Sequence, residues 1–210
     1  ALLLVSIKLF GDAGENQNST VWPCALYLVL GLGLCNHLST VLMIPAFFYL
    51  FIARRSTLRL TIKKCIVPAG FFVLGLTPYL YLPLRASQFP ALNWGNPQTW
   101  EGFLWHVTGR QYRVWMFSSS DVVLRQTKYF LGLAIESFGY VPVILIPFGL
   151  WFLYHRHRQV FWFSVIFFTA DFFYAVNYDI NDIDPYFLPA LLMCCLWMAG
   201  GLMFLAAHCG

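Results

Sequence analysis

Charged residues are scarce in this chain. Only 10% of its 210 residues are Asp, Glu, Lys or Arg, whereas 60% are apolar, and the mean hydropathy is +0.67. Soluble domains carry about 25% charged residues, so this composition lies outside the soluble globular range. The apolar residues also form runs of 16 or more instead of amphipathic stripes. Both features predict an all-α polytopic membrane protein.

Motifs for common catalytic and metal chemistry are also lacking. There is no P-loop, dinucleotide fingerprint, nucleophile elbow, CxxC pair, Cys/His metal spacing or internal repeat. The six cysteines lie in or beside apolar runs, which indicates small buried residues without a disulfide framework. We therefore expect no metal and no cofactor. The chain lacks an initiator Met and a signal-peptide pattern, and it begins inside an apolar run, which favours a piece of a longer protein.

The lengths of the apolar runs predict five to six transmembrane helices. About 20 helical residues cross a bilayer, and the runs 65–84, 159–177 and 185–207 have that length. Gly139 interrupts another run, which predicts an interfacial helix over about 121–138 and a short span over 139–154. The run 21–53 is about 50 Å long as a helix. It is either one strongly tilted helix or, as we favour, two half-length helices meeting at Asn36 and His37.

Net charge does not point to nucleic acid, because the basic residues form short clusters between apolar runs. Formal net charge is +4, but the connections 54–64 and 155–158 hold seven Lys/Arg in 15 residues. The connections 85–126 and 178–184 hold four in 49. The positive-inside rule therefore predicts that the first pair is cytosolic and the second pair is not.

Cationic side chains are concentrated in the loop 85–126. Arg110 and Arg113 follow His106 within one or two turns, and Arg85 ends an apolar run. Arginine forks bind phosphate oxygens in bidentate fashion, so a phosphate-bearing ligand is one interpretation. A snorkelling arginine and an aromatic belt of tryptophans at the membrane surface are the other.

Acidic residues cluster in the loop 178–184. Asp179, Asp182 and Asp184 occur within six residues, flanked by tyrosines. Their spacing matches no metal motif, and a general base or an acceptor for sugar hydroxyls are both open interpretations. Asp171 and Glu136 are predicted within or beside the bilayer, where carboxylates are either functional or paired.

Four segments resemble one membrane family. They are GLGLCNHLSTVLMIPA, LGLTPYLYLPLRA, NWGNPQTWEGFLWHVTGRQYRVWMF and NYDINDIDPYFLPA. They are similar to segments of the family that includes the eukaryotic transmembrane O-mannosyltransferase of IPT domains, and more so to its bacterial members. The resemblance extends over roughly 21–201. It implies a GT-C-like bundle that transfers a sugar from a polyprenyl-phosphate donor to a protein hydroxyl on the non-cytosolic face. The sugar that the resemblance implies is mannose.

The resemblance also implies roles for individual residues. The expected donor-phosphate contacts are Arg85, Arg110, Arg113, His37 and His106. The expected sugar or acceptor contacts are Trp94, Tyr112, Asp182, Asp184 and Tyr186. The family's expected catalytic base is the acidic residue of a D-x-G-E motif that is followed by His-Pro-Pro-Gly. Asp12 and Glu15 mimic the first motif, but the second does not follow, so we expect the catalytic residue upstream of this chain and this chain alone to be inactive.

The partners implied are the bilayer, the polyprenyl-phosphate-linked sugar and an acceptor protein, and no nucleic acid. The expected location is the bacterial cytoplasmic membrane, or the endoplasmic reticulum membrane in a eukaryote. Two other classes compete: a non-catalytic transporter or flippase of lipid carriers, and a membrane scaffold. A transporter favours inverted repeats, which this sequence does not show, and a scaffold does not account for the clustered arginines.

Overall fold

The computed structural model describes residues 21–54 and 62–209, and these are almost entirely helical. Helix accounts for 83% of these described residues, and no strand is present among them. The one exception to helix and loop there is an isolated antiparallel bridge between Met116 and Tyr178. The all-α prediction is confirmed. Asp12, Glu15 and most of the basic connection 54–64 lie outside the described residues.

The described chain contains nine α-helices and three short 3-10 helices. The α-helices are α1 (Val21–Asn36), α2 (Ile44–Arg54), α3 (Ile62–Gly75), α4 (Tyr81–Ala86), α5 (Trp100–Val107), α6 (Ser120–Phe138), α7 (Tyr140–Arg156), α8 (Arg158–Val176) and α9 (Asp184–Cys209). The 3-10 helices are Leu38–Met43, Thr77–Leu80 and Arg110–Trp115. The long apolar run is thus interrupted at His37, between α1 and the first 3-10 helix.

Contacts divide the chain into two compact units that are not contiguous in sequence. The first unit takes the described residues up to Val41 and those of Arg54–Arg113. The second takes Leu42–Ala53 and the described part of Val114–Gly210. The first unit therefore contains α1 and α3–α5, whereas the second contains α2 and α6–α9.

Three helical segments within residues 21–54 and 62–209 are long and apolar enough to cross a bilayer. They are Ile66–Ala86, Arg158–Val176 and Asp184–His208. A fourth crossing is possible by the same criterion if α6 and α7 together form one broken span, since they are bent by 106° at Gly139. Gly139 has φ +77° and ψ 168°, a region that is essentially restricted to glycine. These helices indicate a membrane protein, as the sequence predicts.

Glycines allow the closest helix contacts in both units. In the first unit, a Cβ on Gly31 of α1 would lie 2.5 Å from the carbonyl oxygen of Phe72 in α3. In the second unit, a Cβ on Gly149 of α7 would overlap the carbonyl oxygen of Trp197 in α9. Close backbone approach between small residues is a common way for helices to associate in membranes. Each unit is therefore built around a helix pair that tolerates no side chain at its crossing.

A few buried polar groups are satisfied inside the second unit. Asp171 of α8 is 2% exposed, and its Oδ2 accepts a hydrogen bond of 3.1 Å from the backbone N–H of Ala190 in α9. The indole Nε1 of Trp197 donates to Ser164 Oγ at 2.9 Å. Polar groups in a membrane interior need such partners. These contacts hold α8 against α9 and give Asp171 a structural role.

Candidate functional site

The start of helix α5 is fixed by a tight turn in front of it. Gly95 and Asn96 have positive φ angles of 72° and 40°, and Asn93 Nδ2 donates to Asn96 Oδ1 at 3.0 Å. Thr99 caps the helix, since its Oγ1 accepts a hydrogen bond from the Gly102 N–H at 3.0 Å. A Cβ on Gly102 would lie 2.5 Å from the Asn96 carbonyl oxygen. The turn and the first helical turn are thus packed together, which holds the side chains of α5 in place.

A cavity of about 480 Å³ lies between α5 and the 3-10 helix that follows it. Its volume is within the range of small-molecule sites. The lining side chains come from one face of α5 and from the 3-10 helix: Trp100, Glu101, Leu104, Trp105, Thr108, Arg110 and Arg113. Gly109, with φ +59°, makes the turn between the two elements. Two arginines therefore lie beside two tryptophans and one carboxylate in this cavity.

The charged side chains of this cavity do not pair with one another. Arg110, Arg113 and Glu101 are exposed, and within the described residues none of them makes a hydrogen bond or ion pair. Trp100 is 73% exposed, and its ring stacks on Phe103 at a centroid distance of 5.8 Å. Two guanidinium groups and an aromatic surface are therefore available to a ligand that carries an anion.

Three other cationic candidates lie away from this cavity. Arg85 is exposed at the end of α4, and its Nη1 donates to Gln88 Oε1 at 2.7 Å. His37 is exposed, and its Nδ1 lies 2.7 Å from Ser39 Oγ, so it supports the start of the 3-10 helix Leu38–Met43. His106 is on α5, but its Nδ1 is buried, is without a hydrogen-bond partner in the described chain and packs close to Gly95. The structure thus brings together Arg110 and Arg113 from the predicted set.

The aromatic candidates of the same loop also lie outside the cavity lining. Trp94 is 70% exposed and precedes the Gly95 turn. Tyr112 is exposed on the 3-10 helix between the two arginines. The tryptophans that do line the cavity are Trp100 and Trp105, for which the sequence leaves two interpretations open, an interfacial belt and a surface that packs on a sugar face.

The acidic loop 178–184 holds helix α6 in position. Asp179 forms an ion pair with Arg125 and accepts a hydrogen bond from Ser118 Oγ at 3.2 Å. Its backbone N–H donates to the Trp115 carbonyl at 2.9 Å, next to the Met116–Tyr178 bridge. Asp184, one turn later, accepts a hydrogen bond of 2.6 Å from Tyr129 Oη, which raises the pKa of that phenol. Two of the three clustered aspartates therefore have structural partners.

Gln126 completes this attachment and is not evident from the sequence. It is 3% exposed, and its Nε2 donates to the carbonyls of Tyr178 and Ile180 at 3.2 and 3.3 Å. The signal in the sequence is its spacing, since α6 buries a stripe of residues four apart: Val122, Gln126, Phe130 and Ala134. A polar residue inside an apolar stripe indicates a buried hydrogen bond.

The remaining residues of the acidic loop are divided between surface and core. Asp182 is exposed and has no hydrogen bond within the described residues. Tyr186 stacks on Tyr174 at 6.1 Å and meets Tyr178 edge-on at 5.1 Å. Glu136 is exposed on α6. No three His, Cys, Asp or Glu side chains of the described chain come close enough to hold a metal ion.

Comparison of the chain with protein-family profiles, with curated proteins and with solved structures found no match.

Proposed function

We propose that this protein binds a polyprenyl-phosphate-linked sugar in the cavity beside α5, as part of a membrane glycosyltransferase. The enzyme transfers the sugar to a protein hydroxyl on the non-cytosolic face of its membrane. The sugar is mannose, as the resemblance of the loops implies. Arg110 and Arg113 bind the donor phosphate. The membrane is the bacterial cytoplasmic membrane or the endoplasmic reticulum membrane.

The observation that carries this proposal is the pair of unpaired guanidinium groups in one cavity. Arginine presents donors in a planar fork that matches phosphate oxygens, and a charge-assisted hydrogen bond is about twice as strong as a neutral one. Arg110 and Arg113 have no carboxylate partner within the described chain. A ligand phosphate that binds them therefore displaces water and does not have to break an existing ion pair. The proposal therefore narrows the predicted phosphate contacts to these two arginines, with Arg85, His37 and His106 outside the lining.

The aromatic side of the cavity suits the rest of the ligand. Trp100 and Trp105 line it next to the arginines, and indole rings pack well on the apolar faces of sugars while their N–H groups remain polar. In this proposal Asp182 and Tyr186 stay candidates for the acceptor side, whereas Asp184 acts through its contact with Tyr129. The catalytic residue is unassigned.

The proposed architecture is a GT-C-like bundle of five to six spans. Three spans are of full length by the criterion above. The shorter apolar helices Pro23–Asn36 and Leu38–Ala53, and α7 after its bend from α6, supply the other two or three crossings. Helix α6 then lies at the membrane surface. Its outward residues divide into an apolar group, which includes Leu124 and Leu131, and a charged group with Arg125 and Lys128, as expected for an interfacial helix.

The first experiment measures donor binding by the protein in nanodiscs that contain polyprenyl-phosphate mannose. Arg110→Lys and Arg113→Lys are each expected to weaken binding about threefold to tenfold, because lysine keeps the charge but loses the bidentate fork. Arg85→Lys is the matched control, since Arg85 is exposed but lies outside the cavity. Equal dissociation constants for the three variants and the wild type would eliminate the proposed phosphate site.

A second measurement separates an enzyme from a transporter of lipid carriers. The complete enzyme, with and without Arg110→Lys, is placed in the same nanodiscs together with a folded acceptor protein. Mannose on the acceptor is then detected by mass spectrometry. Loss of transfer in parallel with loss of donor binding for Arg110→Lys supports the transferase. Donor binding and transbilayer movement of the lipid without any transfer would favour the transporter.

A further inference from the structure

Glu101 contributes a carboxylate to the cavity that Arg110 and Arg113 also line. It lies in the first turn of α5, where the Thr99 cap and the contact of Gly102 with Asn96 hold the backbone. Helical spacing puts Glu101, Trp105 and Thr108 on one face, and all three line the cavity. Glu101 makes no ion pair with Arg110 or Arg113. It therefore contributes a negative charge to the site and does not neutralise one arginine by a direct contact.

The negative charge of Glu101 acts differently on the two forms of a lipid phosphate. Arg110 and Arg113 contribute two positive charges and Glu101 one negative charge, and the other lining residues do not ionise. A phosphodiester carries one negative charge at neutral pH. A phosphate monoester carries about 1.5 to 2. Repulsion from a fixed carboxylate grows in proportion to ligand charge, so Glu101 opposes the monoester about twice as strongly as the diester.

We propose that Glu101 lowers the affinity of the cavity for the doubly charged monoester more than for a singly charged phosphodiester, a polyprenyl phosphate that carries a sugar. This inference rests on the proposed function and adds to it the basis for distinguishing donor from product. During transfer, the bond between sugar C1 and the phosphate oxygen breaks, and the electron pair stays on that oxygen. C1 bonds to the oxygen of a protein hydroxyl, whose proton passes to water. The lipid left behind is the monoester, and Glu101 favours its release.

The test uses three lipids that separate charge from sugar contact. They are polyprenyl-phosphate mannose, the methyl diester of polyprenyl phosphate, and polyprenyl phosphate itself, each in nanodiscs with the protein. The first two carry one charge, and the third carries nearly two. Glu101→Gln is expected to raise affinity for the monoester about fourfold and for both diesters about twofold, from the usual range of exposed charge pairs. The ratio of monoester to diester affinity therefore rises about twofold.

Glu136→Gln is the matched control. It makes the same chemical change at an exposed carboxylate on α6 that does not line the cavity, so it should leave all three affinities unchanged. A ratio that is the same in Glu101→Gln and wild type, with the lipids still bound, would overturn the role of Glu101 and leave the phosphate site standing. Failure of the wild type to bind any of the three lipids would overturn the proposed function together with this inference. Equal thermal unfolding midpoints establish that both variants are folded.

Discussion

Gln126 shows how one buried amide attaches an entire helix. Its two hydrogen bonds end on the backbone carbonyls of Tyr178 and Ile180, and the Tyr178 carbonyl also accepts the Ile180 N–H at 3.2 Å. An amide that donates to two carbonyls inside an apolar stripe is costly to remove, because the Ile180 carbonyl loses this donor and the Tyr178 carbonyl keeps only the Ile180 N–H. The stability of α6 against the rest of its unit therefore depends on this residue more than on the exposed Arg125–Asp179 ion pair.

We expect Gln126→Leu to destabilise the protein by about 1–3 kcal/mol. Leucine fills a similar volume but takes the side-chain donor from both carbonyls. The Ile180 carbonyl then loses this hydrogen bond, whereas the Tyr178 carbonyl keeps the one from the Ile180 N–H. The measurement is the thermal unfolding midpoint in detergent micelles, with cleavage by protease near α6 as a local readout. Lys128→Leu, two residues along on the exposed side of the helix, is expected to stay within about 0.5 kcal/mol of wild type. Equal effects of both changes would show that Gln126 does not hold the helix.

At this scale the sequence predicts side-chain chemistry better than side-chain partners. Clustering marks Arg110 and Arg113 as cationic candidates, and the cavity contains both. Clustering also marks Asp179 and Asp184 as candidates for ligand binding, yet their partners Arg125 and Tyr129 lie more than 50 positions earlier in the chain. A single sequence contains no information on such long-range pairs unless the fold is already known.

At the scale of elements, the α7–α9 crossing depends on the absence of a side chain at Gly149. The backbones approach so closely there that the Trp197 carbonyl occupies the place of a Cβ. Gly201 of α9 is similarly placed, since its Cβ would lie 2.4 Å from the Leu145 carbonyl oxygen. Any substitution at Gly149 therefore has to move one helix away from the other.

We expect Gly149→Ala to lower the unfolding midpoint clearly, by a free energy of about 1–3 kcal/mol, because overpacking forces the backbones apart. Gly132→Ala is the control with the opposite expected sign. Nothing lies within 4 Å of a Cβ at Gly132 in α6, and alanine favours helix over glycine by about 0.5–1 kcal/mol. Thermal unfolding of both variants in the same detergent decides the matter. Stabilisation by both would show that α7 and α9 are less closely packed in the protein.

The elements themselves follow from the sequence where a single residue decides the backbone. Gly139 ends α6 with a conformation that other residues avoid, and the sequence indicates an interruption at that residue. The size of the bend, 106°, is not in the sequence, because it is set by the contacts of α6 with the loop 178–184 and of α7 with α9. The spans of full length are likewise evident from composition, whereas the shorter apolar helices depend on packing.

For the whole molecule, charge counting predicts an orientation that labelling can test. Ser119 and His157 flank the bent pair α6–α7, and both are exposed. We expect an impermeant thiol reagent added from the non-cytosolic side to modify Ser119→Cys and to leave His157→Cys unmodified until the membrane is opened. The unsubstituted protein measures the background from its six native cysteines. The reverse pattern would invert the membrane orientation and place the cavity loop on the cytosolic side.

The attachment of α6 has a consequence for how the protein is made. Gln126 and Tyr178 are 52 positions apart, so a ribosome that adds about 5–20 residues per second delivers the acceptor carbonyls roughly 3–10 s after the helix. In that interval α7 and α8 are synthesised and have to enter the membrane. The buried stripe of α6, which contains Gln126 and Phe130, does not yet have the loop 178–184 to pack against. Because of this order of synthesis, α6 completes its packing later than its position in the chain would suggest. Its attachment to the loop 178–184 can form only after α7 and α8 have been synthesised.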